Sequence, residues 1–333
     1  MAALIDAFIE LIETLSIIYI VIGLGIIWRF SRFYKPEYGK WFTQIVFWIF
    51  FPISIISSFA KIESFVGEVI LFVTIITIVV HLISFLTTYI STKNRPSEET
   101  GSLVLCSTFP NALLFPFPII LAIAGSIALF YATIFVFVAM VLRNSFGLAL
   151  GITFQPLNSD NSGKGEIEEK LNYRNAFVDL LKFPPFLALG LGFLLHATVG
   201  PQTIANIPGL DIAKNISLYG ALLLVGISFQ DLQQLHPRNF FSKDVSQVAF
   251  ARFIVGPLAA LILVILLPVT SIMAIPLLIQ SMAPPAISNI IYGKFFNFDT
   301  SQISLLITTL TIFALVLLPL ELMLIMTFFP INA

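Results

Sequence analysis

The sequence predicts an all-α polytopic membrane protein with ten transmembrane helices in two inverted five-helix repeats, helices 4 and 9 being broken and crossing. Three observations carry that expectation. Of 333 residues, 58% are hydrophobic and only 11% charged, with a mean hydropathy of +0.99. A water-facing domain keeps roughly a quarter of its residues charged. Apolar runs long enough to cross a bilayer recur along the whole chain. Two of those runs carry matching proline-rich interruptions.

A helix needs about 20 apolar residues to span the hydrocarbon core. Ten segments qualify, at 11–29, 40–60, 66–90, 101–126, 127–150, 175–198, 212–231, 245–268, 271–295 and 301–328. None shows the ten-residue apolar–polar alternation of an outer-membrane barrel. Asp6, Glu10 and Glu13 precede the first run, where a cleaved signal would be positively charged, so the first helix is expected to stay in the mature protein.

Basic residues set the orientation. Arg29, Arg32, Lys35, Lys40, Lys93, Arg95, Lys164, Lys170, Arg174, Arg238, Lys243 and Lys294 all fall at odd-numbered connections, against Lys61 and Lys214 at the even connections and termini. The odd connections are therefore expected in the cytoplasm and both termini outside the cell membrane. Polar, Gly- and Pro-containing sequence at 153–174 reads as a cytoplasmic linker. It separates a first repeat, 1–152, from a second, 175–333. Five spans per half force the halves into opposite orientations.

An internal match supports the repeat. Cys106–Ala112 reads CSTFPNA and Gln280–Ala286 reads QSMAPPA, aligning Ser107 with Ser281, Pro110 with Pro284 and Ala112 with Ala286. Each segment lies in the fourth span of its half. Pro110, Pro116 and Pro118 surround Asn111, and Pro284 and Pro285 precede Ser288 and Asn289. A proline inside a helix deletes one hydrogen bond and clashes with the carbonyl four residues back. Freed backbone groups in hydrocarbon must be satisfied by protein, water or ligand. Paired interruptions at corresponding positions point to a transporter's binding site; ordinary proline kinks are the plain alternative.

The second half of a broken helix starts with unpaired amides at the positive end of its dipole, which favours anions. A small organic anion such as a carboxylate is thus the expected substrate. It would be bound by Ser107, Pro110, Asn111, Pro118, Gln280, Pro284, Pro285, Ser288 and Asn289. Ionisable residues inside spans are functional candidates by default. Arg143, Arg252 and His81 are expected either to snorkel to the interface or to line an electropositive cytoplasmic vestibule. Glu321 reads as interfacial, and Asp179 with Lys182 as a local helix pair.

The composition excludes other classes. One cysteine, Cys106, and three scattered histidines provide neither a disulfide nor a metal-ligand cluster. The net charge of −1 carries no nucleic-acid signature. No Ser–His or paired-Asp arrangement within the spans suggests an enzyme. No cofactor is expected, and no Asp or Glu beside either break marks H+ or Na+ as the coupling ion. A sodium-coupled symporter of the bile-acid type and a non-transporting sensor of the same ligands are the competing classes.

At these motifs the chain resembles the auxin efflux carrier family, including the PIN-type carriers. FPNALLFPFP holds Asn111 with Pro118 seven residues on; ARFIVGP runs from Ala251 to Pro257, and QSMAPPAISNIIYGKFFN from Gln280 to Asn297. LKFPPFLALGLGFLL and LYGALLLVGISFQDLQ are similar to the family's sixth and seventh spans. The resemblance implies that spans 1, 2, 6 and 7 form a scaffold that often dimerises. Spans 3–5 and 8–10 would form a transport domain that moves against it, elevator-fashion. The family's crossing proline in span 4 carries over to Pro118. In span 9 the PIN-type proline falls at Asn289, and the linker is much shorter than in the longer plant carriers. Those departures count against auxin as the natural substrate and leave small carboxylates open.

Overall fold

A computed structural model describes residues 2–62, 67–156, 182–229 and 240–330. The expected linker beyond Pro156, with Lys164, Lys170 and Arg174, lies outside the described residues, as do Asp179 and Arg238. Among the described residues every regular element is helical apart from one isolated bridge pairing Pro110 with Pro285.

The first half comprises α1 (Ala2–Phe30), α2 (Pro36–Ile45), α3 (Phe51–Ser58), α4 (Gly67–Thr92), α5 (Ser97–Thr108), α6 (Pro116–Leu142) and α7 (Leu148–Phe154). The second comprises α8 (Pro184–Val199), α9 (Pro201–Ala205), α10 (Leu210–Ile227), α11 (Lys243–Phe250) and α12 (Gly256–Leu266). It ends with α13 (Ser271–Ser281), α14 (Asn289–Phe295) and α15 (Thr300–Phe328). Single π-helical turns at Val46–Phe50, Arg143–Gly147 and Ala251–Val255 join α2 to α3, α6 to α7 and α11 to α12.

Among the described residues seven helical stretches are long and apolar enough to cross a membrane, and α8 and α13 are shorter apolar helices. The described helices differ from uninterrupted spans at two places, the first of them expected. Spans 4 and 9 are each interrupted, between Thr108 and Pro116 and between Ser281 and Asn289. At 1.5 Å per residue, the 12 residues of α5 and the 11 of α13 cover only about half of a ~30 Å hydrocarbon core. The second departure is that the end of span 4 runs into span 5 through Gly125, whose φ of +71° turns the chain between 116–124 and 126–142. Only glycine adopts that conformation without strain.

The helices pack in two groups. In the first, α1 crosses α10, and α3 contacts both α8 and α10. The α1–α10 crossing has almost no room: a Cβ on Gly226 would stand 2.1 Å from the Ile22 carbonyl oxygen, and one on Gly25 2.3 Å from that of Leu223. Small residues at such a crossing let backbones approach, which is how membrane helices gain packing energy. Ser54 donates to Ser217 (2.7 Å), tying α3 to α10.

The second group gathers α4, α5 and α11–α15. At one edge Arg95 donates to Asp244 (2.5 Å) and Gln247 (2.7 Å), while Gln302 donates to the other Asp244 oxygen (2.8 Å). That cluster pins the α4–α5 connection to α11 and α15. Helix α6 belongs to both groups, packing on α13 and α4 on one side and on α3 and α10 on the other.

Candidate functional site

The two interruptions meet. Phe109 is extended (φ −106°, ψ 103°), as the residue before a proline must be to avoid the ring. Asn111 N–H donates to the Pro284 carbonyl (2.7 Å) and Ala286 N–H to that of Phe109 (3.0 Å). These two bonds flank the Pro110–Pro285 bridge. The prolines occupy the positions of an antiparallel pair that exchange no hydrogen bonds, so their missing N–H groups cost nothing there. In space Pro110 therefore pairs with Pro285, one residue on from the Pro284 suggested by aligning the two segments.

Pro118 is not at the crossing. With Pro116 it sits in the first turn of α6, where a helix has no use for those N–H groups. The expectation of unpaired amides at the second half-helices is also corrected. Pro116 and Pro118 have none, and Phe117 N–H bonds the Leu113 carbonyl. At α14 the amides of Asn289, Ile290, Ile291 and Tyr292 all turn back onto carbonyls of residues 286–288. Proline content and tight turns have consumed the donors that were expected to attract an anion.

Several predicted ligand residues hold the crossing together instead. Asn289 donates to the Leu105 and Phe109 carbonyls (3.3 and 3.2 Å), capping α5 from the opposite repeat. Gln280 donates to Ala112 and Ala132 (3.2 and 3.0 Å). The hydroxyls of Ser107 and Ser281 bond carbonyls of their own helices, Val104 and Leu278. All four residues are fully buried, as are His81 and Arg252. His81 donates from Nδ1 to Thr77 (2.7 Å) and lies against the rings of Phe109 and Phe135. Arg252 neither snorkels nor faces a vestibule: its guanidinium donates to the carbonyls of Ser107, Ser281 and Ala283.

A cavity of about 340 Å³ opens on the other side of the bridge, within the size range of small-molecule sites. Of the predicted residues, Pro110, Asn111, Ser288 and Arg143 line it; Ser107, Pro118, Gln280, Pro284, Pro285, Asn289, His81 and Arg252 do not. Its polar groups are few. Half-buried Arg143 donates to the Ser288 hydroxyl and to the Pro110 carbonyl (3.4 Å), and its guanidinium carbon stands 5.4 Å from the centre of the Phe109 ring. Tyr292 donates to Asn144 (2.9 Å), and the Asn111 side-chain oxygen accepts from Leu114 N–H (3.3 Å).

The lining residues that escaped the sequence reading include Phe47, Asn144, Phe183 and Tyr292. Asn144 follows Arg143 directly, and Tyr292 is one helical turn beyond Ser288, so both had a signal. Phe47 and Phe183 come from the other helix group and had none. All three π turns serve the crossing: they carry Phe47, Arg143 with Asn144, and Arg252. An extra residue per turn re-aims a side chain, which is why such turns collect at functional sites. Among the described residues, no three His, Cys, Asp or Glu side chains gather into a metal centre.

The sequence pattern of the family described as "Membrane transport protein" matches residues 10–322. No curated protein matches the chain significantly.

Proposed function

The chain belongs to the membrane transport protein family, and from that premise we propose that it is a secondary transporter of small organic anions, carboxylates foremost. The observation that carries this reading is Arg143, the charged group of a mostly apolar cavity. Its hydrogen-bond partners are a hydroxyl and a carbonyl, and among the described residues it forms no ion pair. A half-buried cation without a counter-ion has lost part of its hydration without a charge to compensate it. A carboxylate entering the cavity would supply the missing charge through the fork geometry suited to guanidinium.

Ten spans in two inverted repeats account for the packing. The group of α1–α3, α8 and α10 serves as scaffold and dimer surface, and the group bearing the crossing as the moving body. Elevator-type motion would slide the crossing and its cavity along the α6 contacts. The cavity walls include Phe47 and Phe183, close to the basic ends of their helices, so this state opens to the cytoplasm if both termini lie outside the plasma membrane.

An anion leaving a negative interior gains about 2.3 kcal/mol per charge per 100 mV, enough to drive export without a coupling ion or cofactor. The test is a current measurement on proteoliposomes challenged with monocarboxylates, dicarboxylates and indole acids. Saturable currents that follow an imposed potential and weaken strongly in Arg143→Met are expected. Currents indifferent to potential but tracking a sodium or proton gradient would overturn the driving force. Full activity in Arg143→Met would overturn the site.

A further inference from the structure

We propose that Arg252 is a resident cation of the crossing: a positioning residue occupying the place where a bound metal cation would otherwise neutralise the carbonyl ends of both broken helices. The inference rests on the transporter reading above only for its consequence on transport. Its structural basis is separate.

The first half of a broken helix ends in carbonyls with no intrahelical partner, at the negative end of its dipole. Here two such ends converge. Ser107 lies in the last turn of α5, Ser281 closes α13, and Ala283 follows in the interruption. One guanidinium reaches all three. Nε donates to Ala283 (3.0 Å), one terminal nitrogen to Ser107 (3.3 Å), and the other to Ser281 (3.1 Å) and Ala283 (2.8 Å). Four of the five N–H groups of an arginine are thus engaged, all with main-chain oxygens, and the side chain is wholly excluded from solvent.

Several carbonyls from unwound segments meeting at one point form the usual donor set for an alkali cation in discontinuous membrane helices. In this chain the same oxygens are already filled by a covalently attached charge. A tethered cation cannot be transported, released or replaced by a gradient. The crossing would therefore keep its register in every state of the cycle, and no sodium ion would be needed there.

The experiment compares full-length wild type, Arg252→Lys and Arg252→Ala in detergent. Thermal unfolding is followed in sodium chloride, in choline chloride of equal ionic strength, and in choline chloride with millimolar guanidinium. Carboxylate currents are recorded in parallel. The wild type is expected to melt identically in sodium and choline. Arg252→Ala should melt lower and recover with guanidinium, and its current should fall by roughly a hundredfold, the scale of a misplaced site. Arg252→Lys should lie between, because it keeps the charge and loses the fork.

Sodium-specific stabilisation of the wild type would overturn the proposal, because the cation place would then be open. So would wild-type melting and current in Arg252→Ala, or equal damage in both variants with no guanidinium response, which would mark side-chain volume alone. If Arg252→Ala does not fold, the wild-type sodium comparison and Arg252→Lys still decide. A wild type without carboxylate current but with the expected melting pattern would sink the transport reading and leave this one standing.

Discussion

Arg143 and Arg252 both bond main-chain carbonyls of the crossing, each from a π-helical turn, and their surroundings differ. Arg252 is closed in and spends four hydrogen bonds on carbonyls of both interruptions. Arg143 faces a cavity, and among the described residues it donates to just the Ser288 hydroxyl and the Pro110 carbonyl. The same charge is saturated on one side and under-coordinated on the other. Saturation makes a structural element; spare donors beside empty space make a recognition element. Which role an intramembrane arginine takes is decided by how many backbone acceptors the fold brings to it.

The largest expected effect lies on the closed side. Arg252→Met removes the charge and leaves three buried carbonyls without their donor. Each buried acceptor left unsatisfied costs about 1–3 kcal/mol, so folded yield and melting temperature should drop sharply in size-exclusion thermal assays. Arg143→Met should leave melting near wild type, since it removes a group the cavity tolerates only at a cost. Its effect belongs in binding: losing a charge-assisted contact of about 1.5–3 kcal/mol predicts roughly a ten- to hundredfold weaker carboxylate response. If both variants lose stability equally, the contrast between the two sides is broken.

Much of the fold was legible because bilayer thickness and backbone satisfaction are strong constraints. The interruptions near Pro110 and Pro284 followed from proline chemistry alone. Proline position was harder to interpret than proline presence. Pro116 and Pro118 looked like breakers, yet they start a helix, and only the position of the first turn distinguishes the two roles. The division of labour among polar residues was not legible at all. Asn111 and Asn289 read as equivalent, one beside each interruption. In three dimensions Asn111 lines the cavity while Asn289 turns inward to cap α5, because the carbonyls freed in one repeat are satisfied by side chains of the other. No single-sequence pattern encodes that reciprocity. Phe47 and Phe183 belong to the same category, being walls supplied by helices that carry no interruption.

Asn111 sharpens the comparison at intermediate magnitude. Asn111→Ala removes the acceptor for Leu114 N–H, a long bond of 3.3 Å, and a polar group of the cavity wall. The backbone bond from Asn111 N–H to Pro284 remains, so the crossing should persist. A net hydrogen bond is worth about 1 kcal/mol, which predicts roughly a fivefold loss of apparent affinity with melting almost unchanged. A collapse of stability would place Asn111 with Arg252 among the residues that build the crossing.

Ser288→Ala gives the smallest expected effect and the finest division of the open side. The Ser288 hydroxyl receives a hydrogen bond from Arg143 and makes no side-chain cap on α14, so helix stability does not depend on it. Two influences on binding oppose each other. The hydroxyl steers the guanidinium toward the cavity, which favours the substrate, and it occupies an N–H that a carboxylate would use, which disfavours it. The Pro110 carbonyl at 3.4 Å is too distant to orient the fork by itself, because hydrogen bonds weaken steeply beyond about 3.2 Å. Steering should therefore win, and concentration–response curves of the proteoliposome current should shift to about threefold weaker apparent affinity with the maximal current retained. A shift to tighter binding would show that Arg143 is held in place by its other neighbours and that Ser288 competes with the substrate for it.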